Sequence, residues 1–190
     1  MNPLVTTTPS ELTEQILEFC RQLDPSQETS FVPVRPEPYA RLTDCFFNVP
    51  EKTKRDGGRM QLGWIIWEME HVLVEAEFHA VWVSHDGVFV DVTPKQDGEI
   101  SILFHPDTTR SYNREPVDNI RRAFQDHPVI HEFINLHQEL DFLKKKYMVR
   151  KASPGGYPLR IPPSGQRALI RIQTRLMQLQ PMLLLLNQGS

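Results

Sequence analysis

Three residues of this chain have the types that nucleophilic acyl chemistry needs: Cys45, His79 and Asp91. A cysteine attacks as its thiolate, an imidazole moves the proton, and a carboxylate orients the imidazole. Cys45 lies in Asp44-Cys45-Phe46-Phe47-Asn48-Val49, after a proline-rich approach. At a helix N-terminus its ionised form would be stabilised by the helix dipole. The other reading is an inert buried cysteine beside Phe46 and Phe47. Asn48, three residues on, is either a local cap or a polar residue of the site.

His79 lies mid-strand in Glu75-Ala76-Glu77-Phe78-His79-Ala80-Val81-Trp82. Strand side chains alternate, so Glu75, Glu77, His79 and Val81 share one face. The other face, with Phe78, Ala80 and Trp82, reads as core. A strand histidine taken alone is more often structural. Asp91 changes that reading, because an acid in the β-branched run Val88-Phe89-Val90-Asp91-Val92-Thr93 needs a partner. A two- or four-residue loop before that run would place Asp91 on the face opposite His79. A three-residue loop, His85-Asp86-Gly87, would pair Val81 with Asp91 and make His79 and Asp91 diagonal neighbours. Gly87 supplies the positive φ such a loop wants at its last position. The constellation therefore demands that loop, or one of five residues.

Trp64, Trp67 and Trp82 are candidates for shaping a substrate groove, with Trp82 the most core-like, and Glu77 shares the histidine's face. A metal site is a competing reading, since carboxylate and imidazole suit zinc or iron. It would use His79 and Glu77, with Glu75, His71, His85 and His105 nearby. Residues i, i+2 and i+4 of one strand span about 13 Å, too far for one ion. No metal or other cofactor is therefore implied for the main reading. His105, in Phe104-His105-Pro106-Asp107, reads as a surface turn residue.

The elements that must position these residues follow from patterning. Residues 8–23 are predicted to be a helix, with Thr8, Pro9 and Glu11 as a capping-box start. Leu12, Ile16, Phe19, Cys20 and Leu23 fall on one face, so Cys20 reads as a small core residue. Residues 24–38 read as loop. Residues 39–49 form a short helix or turn that presents Cys45, and Pro50 opens a second turn that stops at Gly57-Gly58. Antiparallel strands are predicted at 61–68, 72–83, 88–93 and 100–104. Glu70-His71, Asp86-Gly87 and Asp97-Gly98 are the hairpin signals. Residues 115–147 turn helical with a break at Pro128, 151–165 read as a Pro/Gly-rich linker, and a last helix runs from 164 to 188. The tail 182–186 is apolar all round and must be buried, in this domain or against a partner or second copy of the chain.

The fold class is thus α+β: an N-terminal helix and a short cysteine-bearing helix against about four antiparallel strands, with C-terminal helices. One domain is expected over 1–150, with linker and helix over 151–190. The 190 residues carry a net charge of −3, so no basic excess points to nucleic acid. No apolar run is long enough for a membrane span, and no signal-peptide pattern opens the chain. Two cysteines and no C-x-x-C fit free thiols in a reducing, cytoplasmic setting.

The order and context of these residues resemble the transglutaminase-like superfamily, a branch of papain-like folds. That family has a cysteine on a helix N-terminus, a G-x-P-A-R-x-x-x-G-Y segment, a strand H-A-W and a strand D-P-T. Here Gly57-Gly58-Arg59-Met60-Gln61-Leu62-Gly63-Trp64 is similar to the middle segment. His79-Ala80-Val81-Trp82 and Asp91-Val92-Thr93-Pro94 are similar to the two strands. The chain also resembles a bacterial group pairing C-x-x-N-V with E-A-E-F-H-A-V-W and D-x-T-P. The resemblance covers residues 39–107. It implies a papain-like core, with Cys45 as nucleophile, His79 as base and Asp91 as orienter. The expected activity is a cysteine-dependent hydrolase or acyltransferase acting on a peptide or protein amide. The alternative is a binding module that keeps the fold without turnover.

Overall fold

Thr13 starts the first helix, α1 (Glu14–Leu23), by accepting the Ile16 N–H on its hydroxyl at 3.3 Å. The start expected at Thr8 is too early. Thr8 donates its N–H to Glu99 at 2.9 Å, and Thr7 forms a β-bridge with Glu68. Those residues tie the chain to the sheet instead of capping a helix. The apolar stripe holds, with Ile16, Phe19 and Cys20 buried and Leu12 exposed.

The structure is a computed structural model and describes residues 6–96, 98–147 and 161–188. Residues 148–160, most of the expected linker, lie outside the described residues, as does Asp97 of one expected turn. The chain divides into two compact units. One holds residues 5–70 and 74–122, and the other 71–73 and 123–190 with the first four. The division near residue 123 falls before the boundary expected at 150.

The first unit carries the sheet. After α1 come β1 (Ser30–Pro33), α2 (Cys45–Asp56), β2 (Arg59–Met69), β3 (Leu73–Val83), β4 (Phe89–Val90), β5 (Ser101–Pro106) and β6 (Ile120–Ala123). The order is β1-β5-β2-β3-β4, with β6 also paired to β3. The register is antiparallel, for example Val32 opposite Ile102 and Ile65 opposite Phe104. Past β4 the chain closes on β1: Asp91 donates its N–H to Pro33 O at 3.0 Å and accepts from Arg35 N at 2.8 Å. The antiparallel sheet is thereby curled into a nearly closed barrel.

β1 and β6 were not expected. β1 has only four residues and ends in proline, and β6 lies where Ile120 and Phe124 imitate helical spacing. The hairpin expected between β4 and β5 does not form, because β5 lies between β1 and β2 and not beside β4.

One face of the sheet packs Val32, Ile65, Val81, Ile102 and Phe104 into a core. On the other face α2 lays Cys45 and Val49 against Ala80, Val90 and Val92. α2 is a single helix with Pro50 inside it, not two turns divided there. The proline removes one i→i−4 bond, and the helix continues past it to Asp56. It ends at Gly57, whose φ of 72° suits a glycine stop.

In the second unit, α3 (Pro128–Tyr147) packs against α4 (Pro163–Gln188). Arg175 grips Glu132 with two bonds, 2.6 and 2.7 Å. α3 begins at Pro128, so the expected helix over 115–127 is replaced by β6 and a turn. The apolar tail is buried only at Leu183; Met182, Leu184 and Leu185 are exposed. No helix among the described residues is long and apolar enough to cross a membrane.

Candidate active site

The site is assembled by a hairpin. Trp82 pairs with Val90 and Val83 with Phe89, and Ser84 N donates to Val88 O at 2.9 Å. That register leaves a three-residue loop, His85-Asp86-Gly87, with Gly87 at φ 81°. His79 and Asp91 therefore meet on one face, Nε2 lying 3.0 Å from Oδ2. Both are buried.

Asp91 is held on every side. Its Oδ1 accepts the Thr93 N–H at 2.9 Å, and its Oδ2 also takes Lys95 Nζ at 2.6 Å. Burial pushes its carboxyl up, but the His79 charge and hydrogen bond and the Lys95 ammonium outweigh it, so the group stays ionised well below the usual range. For His79, burial opposes the cation and Lys95 repels it. The neighbouring Cys45 and the Asp91 carboxylate win, and the ring is pushed up to about 9. Lys95 was not legible as part of the site. Its one mark in the sequence is its place four residues past Asp91, beyond a proline.

Cys45 is the first residue of α2. Asp44, before it, makes no side-chain cap and turns its carboxylate toward Arg41 at 3.6 Å. The opening N–H groups of a helix have no intrahelical acceptor, so this end offers donors and a positive dipole beside the thiol. Cys45 and His79 line one pocket of about 330 Å³. With His79 Nε2 given to Asp91, Nδ1 is the nitrogen left for the thiol.

Asn48 is not a pocket residue. Fully buried, it accepts from Arg41 N and donates to Arg41 O, both at 2.8 Å, and reaches Thr93 Oγ1 at 3.2 Å. It clamps the approach loop and the Asp91 segment to the start of α2, so its local-cap reading is the one realised. Asn48→Ala leaves those buried groups unpaired and should cost about 3 kcal/mol. A thermal melt should show the midpoint falling by roughly 6–12 °C.

Trp64 does not shape the groove. It is fully buried behind Phe78, ring centroids 5.2 Å apart, and donates to Asp107 Oδ2 at 2.8 Å. Trp67 does line the pocket, donating from Nε1 to Glu77 Oε2 at 2.9 Å. Trp82 packs on the α2 face and donates to Gly57 O at 2.8 Å. Phe46 and Phe78 complete the apolar wall.

The residues weighed for a metal are dispersed. Glu75 is taken by Arg121 at 2.8 and 3.0 Å. His85 accepts the Gly58 N–H at 3.2 Å. His105 is a buried strand residue, not a surface turn: its Nε2 donates to Asp24 O at 3.0 Å and its Nδ1 accepts from Thr29 at 2.9 Å. Among the described residues no group of three or more His, Cys, Asp and Glu could hold an ion. No family model, curated protein or solved structure matches the chain.

Proposed function

We propose that the chain is a cysteine-dependent amide hydrolase or acyltransferase, built on a papain- or transglutaminase-like core. The observation that carries this is the 3.0 Å bond from His79 Nε2 to Asp91, with the thiol of Cys45 lining the same pocket as the ring. Cys45 Sγ attacks the amide carbonyl, and the oxyanion is met by N–H groups at the start of α2. The His79 imidazolium gives its proton to the leaving amine. A thioester remains, and water or a second amine, deprotonated by His79, resolves it. Asp91 keeps the ring oriented and supports its charge throughout.

The partner is a peptide or protein amide. A free nucleophilic thiol suits a reducing compartment, the cytoplasm being the simplest. A second reading, a binding module without turnover, is favoured by exposed apolar residues on α4, namely Ile170, Met177, Leu184 and Leu185. A second copy of the chain could cover them.

Alkylation separates the two readings. At pH 6 iodoacetamide should modify Cys45 at least tenfold faster than it modifies N-acetylcysteine, because an imidazolium beside a thiol favours the thiolate. Cys20, whose thiol burial pushes up, should stay unmodified. A Cys45 no faster than the free thiol sinks the enzyme reading.

A further inference from the structure

We propose that the pocket beside Cys45 receives a cationic group of the substrate, an ammonium or guanidinium, with Glu77 as its counter-charge. The inference rests on the cysteine-amide reading and names the kind of amide it would take.

The argument is one of charge. Among the described residues four ionisable side chains besides the thiol line the pocket: Glu75, Glu77, His79 and Lys95. Glu75 is neutralised by the bidentate Arg121. Lys95 is paired with Asp91, and the pair formed by His79 and the Cys45 sulfur is neutral overall whether the proton they share lies on nitrogen or on sulfur. Glu77 is left over. Its described partner is the Trp67 indole N–H, a neutral donor that fixes the carboxylate without cancelling its charge. The pocket thus carries one negative charge in excess.

The walls suit the same guest. Trp67, Phe46 and Phe78 present aromatic surface, which attracts cations through the ring quadrupole. Phe46 is immobilised by stacking on Tyr112, with centroids 3.6 Å apart and planes 8° from parallel. A carboxylate held by one indole in a pocket with aromatic walls suits an alkylammonium or guanidinium and repels an acidic side chain.

Charged thiol reagents test this on the intact protein. In a methanethiosulfonate the Cys45 thiolate attacks the sulfenyl sulfur, an S–S bond forms, and methanesulfinate departs with the bonding electron pair. The trimethylammonium-ethyl and sulfonatoethyl reagents differ in charge at one end. Rates at Cys45 are read by peptide mass spectrometry and divided by those of N-acetylcysteine. The cation-to-anion rate ratio should fall about tenfold in Glu77→Gln, which keeps the Trp67 hydrogen bond and loses the charge. Glu77→Lys should lower it further. An unchanged ratio with a fast Cys45 overturns the substrate class alone. A Cys45 as slow as the free thiol with both reagents overturns the class and the cysteine reading together.

Discussion

His79→Ala should slow the alkylation of Cys45 at pH 6 by about a hundredfold. An unassisted thiol of ordinary acidity is only about 0.3% ionised at that pH. A cation beside a thiol favours its anion, and His79 stays protonated up to about 9. The gap between wild type and variant should therefore close as the pH rises past 9, where the ring discharges and an ordinary thiol ionises unaided. The fold should survive, because Asp91 keeps Lys95 and the Thr93 N–H. A stopped assay over pH 5–10 with mass-spectrometric readout measures both limbs. A loss under threefold at pH 6 would mean that the pair is structural.

Asp91→Asn should cost about 3 kcal/mol, because it strands two cations that the carboxylate now holds. It should also reshape the dependence of stability on pH. The His79 value in the folded chain lies above its ordinary 6.5. Its contribution is complete below 6.5 and is lost as the pH rises through about 9. The Asp91 value lies below its ordinary 3.8, so its contribution is present above 3.8 and is lost as the pH falls through about 2. The wild-type melting midpoint should accordingly be highest between about pH 4 and 6.5 and decline toward 9. In Asp91→Asn the whole curve should be lower and its alkaline slope shallower. Melts at several pH values check both, and parallel curves for the two proteins would refute the assignment.

The meeting of His79 and Asp91 was legible because period-two alternation and one glycine define it. Gly87 accepts a positive φ, the loop then has three residues, and the facing of every later side chain follows. β2 and β3 were legible as long runs of Trp, Ile, Val and Phe. Four-residue β1 and β6 were not, since such strands gain their stability from neighbours distant in sequence. Thr8 and Pro9 carried a capping signal that lost to the bonds of Thr8 with Glu99 and of Thr7 with Glu68. Lys95, Trp64 and His105 show a related blindness. Sequence gives their chemical type, but only packing decides whether a polar end faces a pocket, a buried acid or a backbone carbonyl.

Asp91 has a further duty with a temporal consequence. Its side chain serves His79 while its own N–H and carbonyl close the sheet onto β1. The hairpin that joins His79 to Asp91 and the seam onto β1 thus share one residue. In a nascent chain Cys45 emerges well before Asp91, and His79 has no orienting acid until the β3–β4 hairpin has formed. If Cys45 is the nucleophile proposed above, it gains an oriented base only once that hairpin is closed. A half-made molecule is then the least able to attack the chains around it.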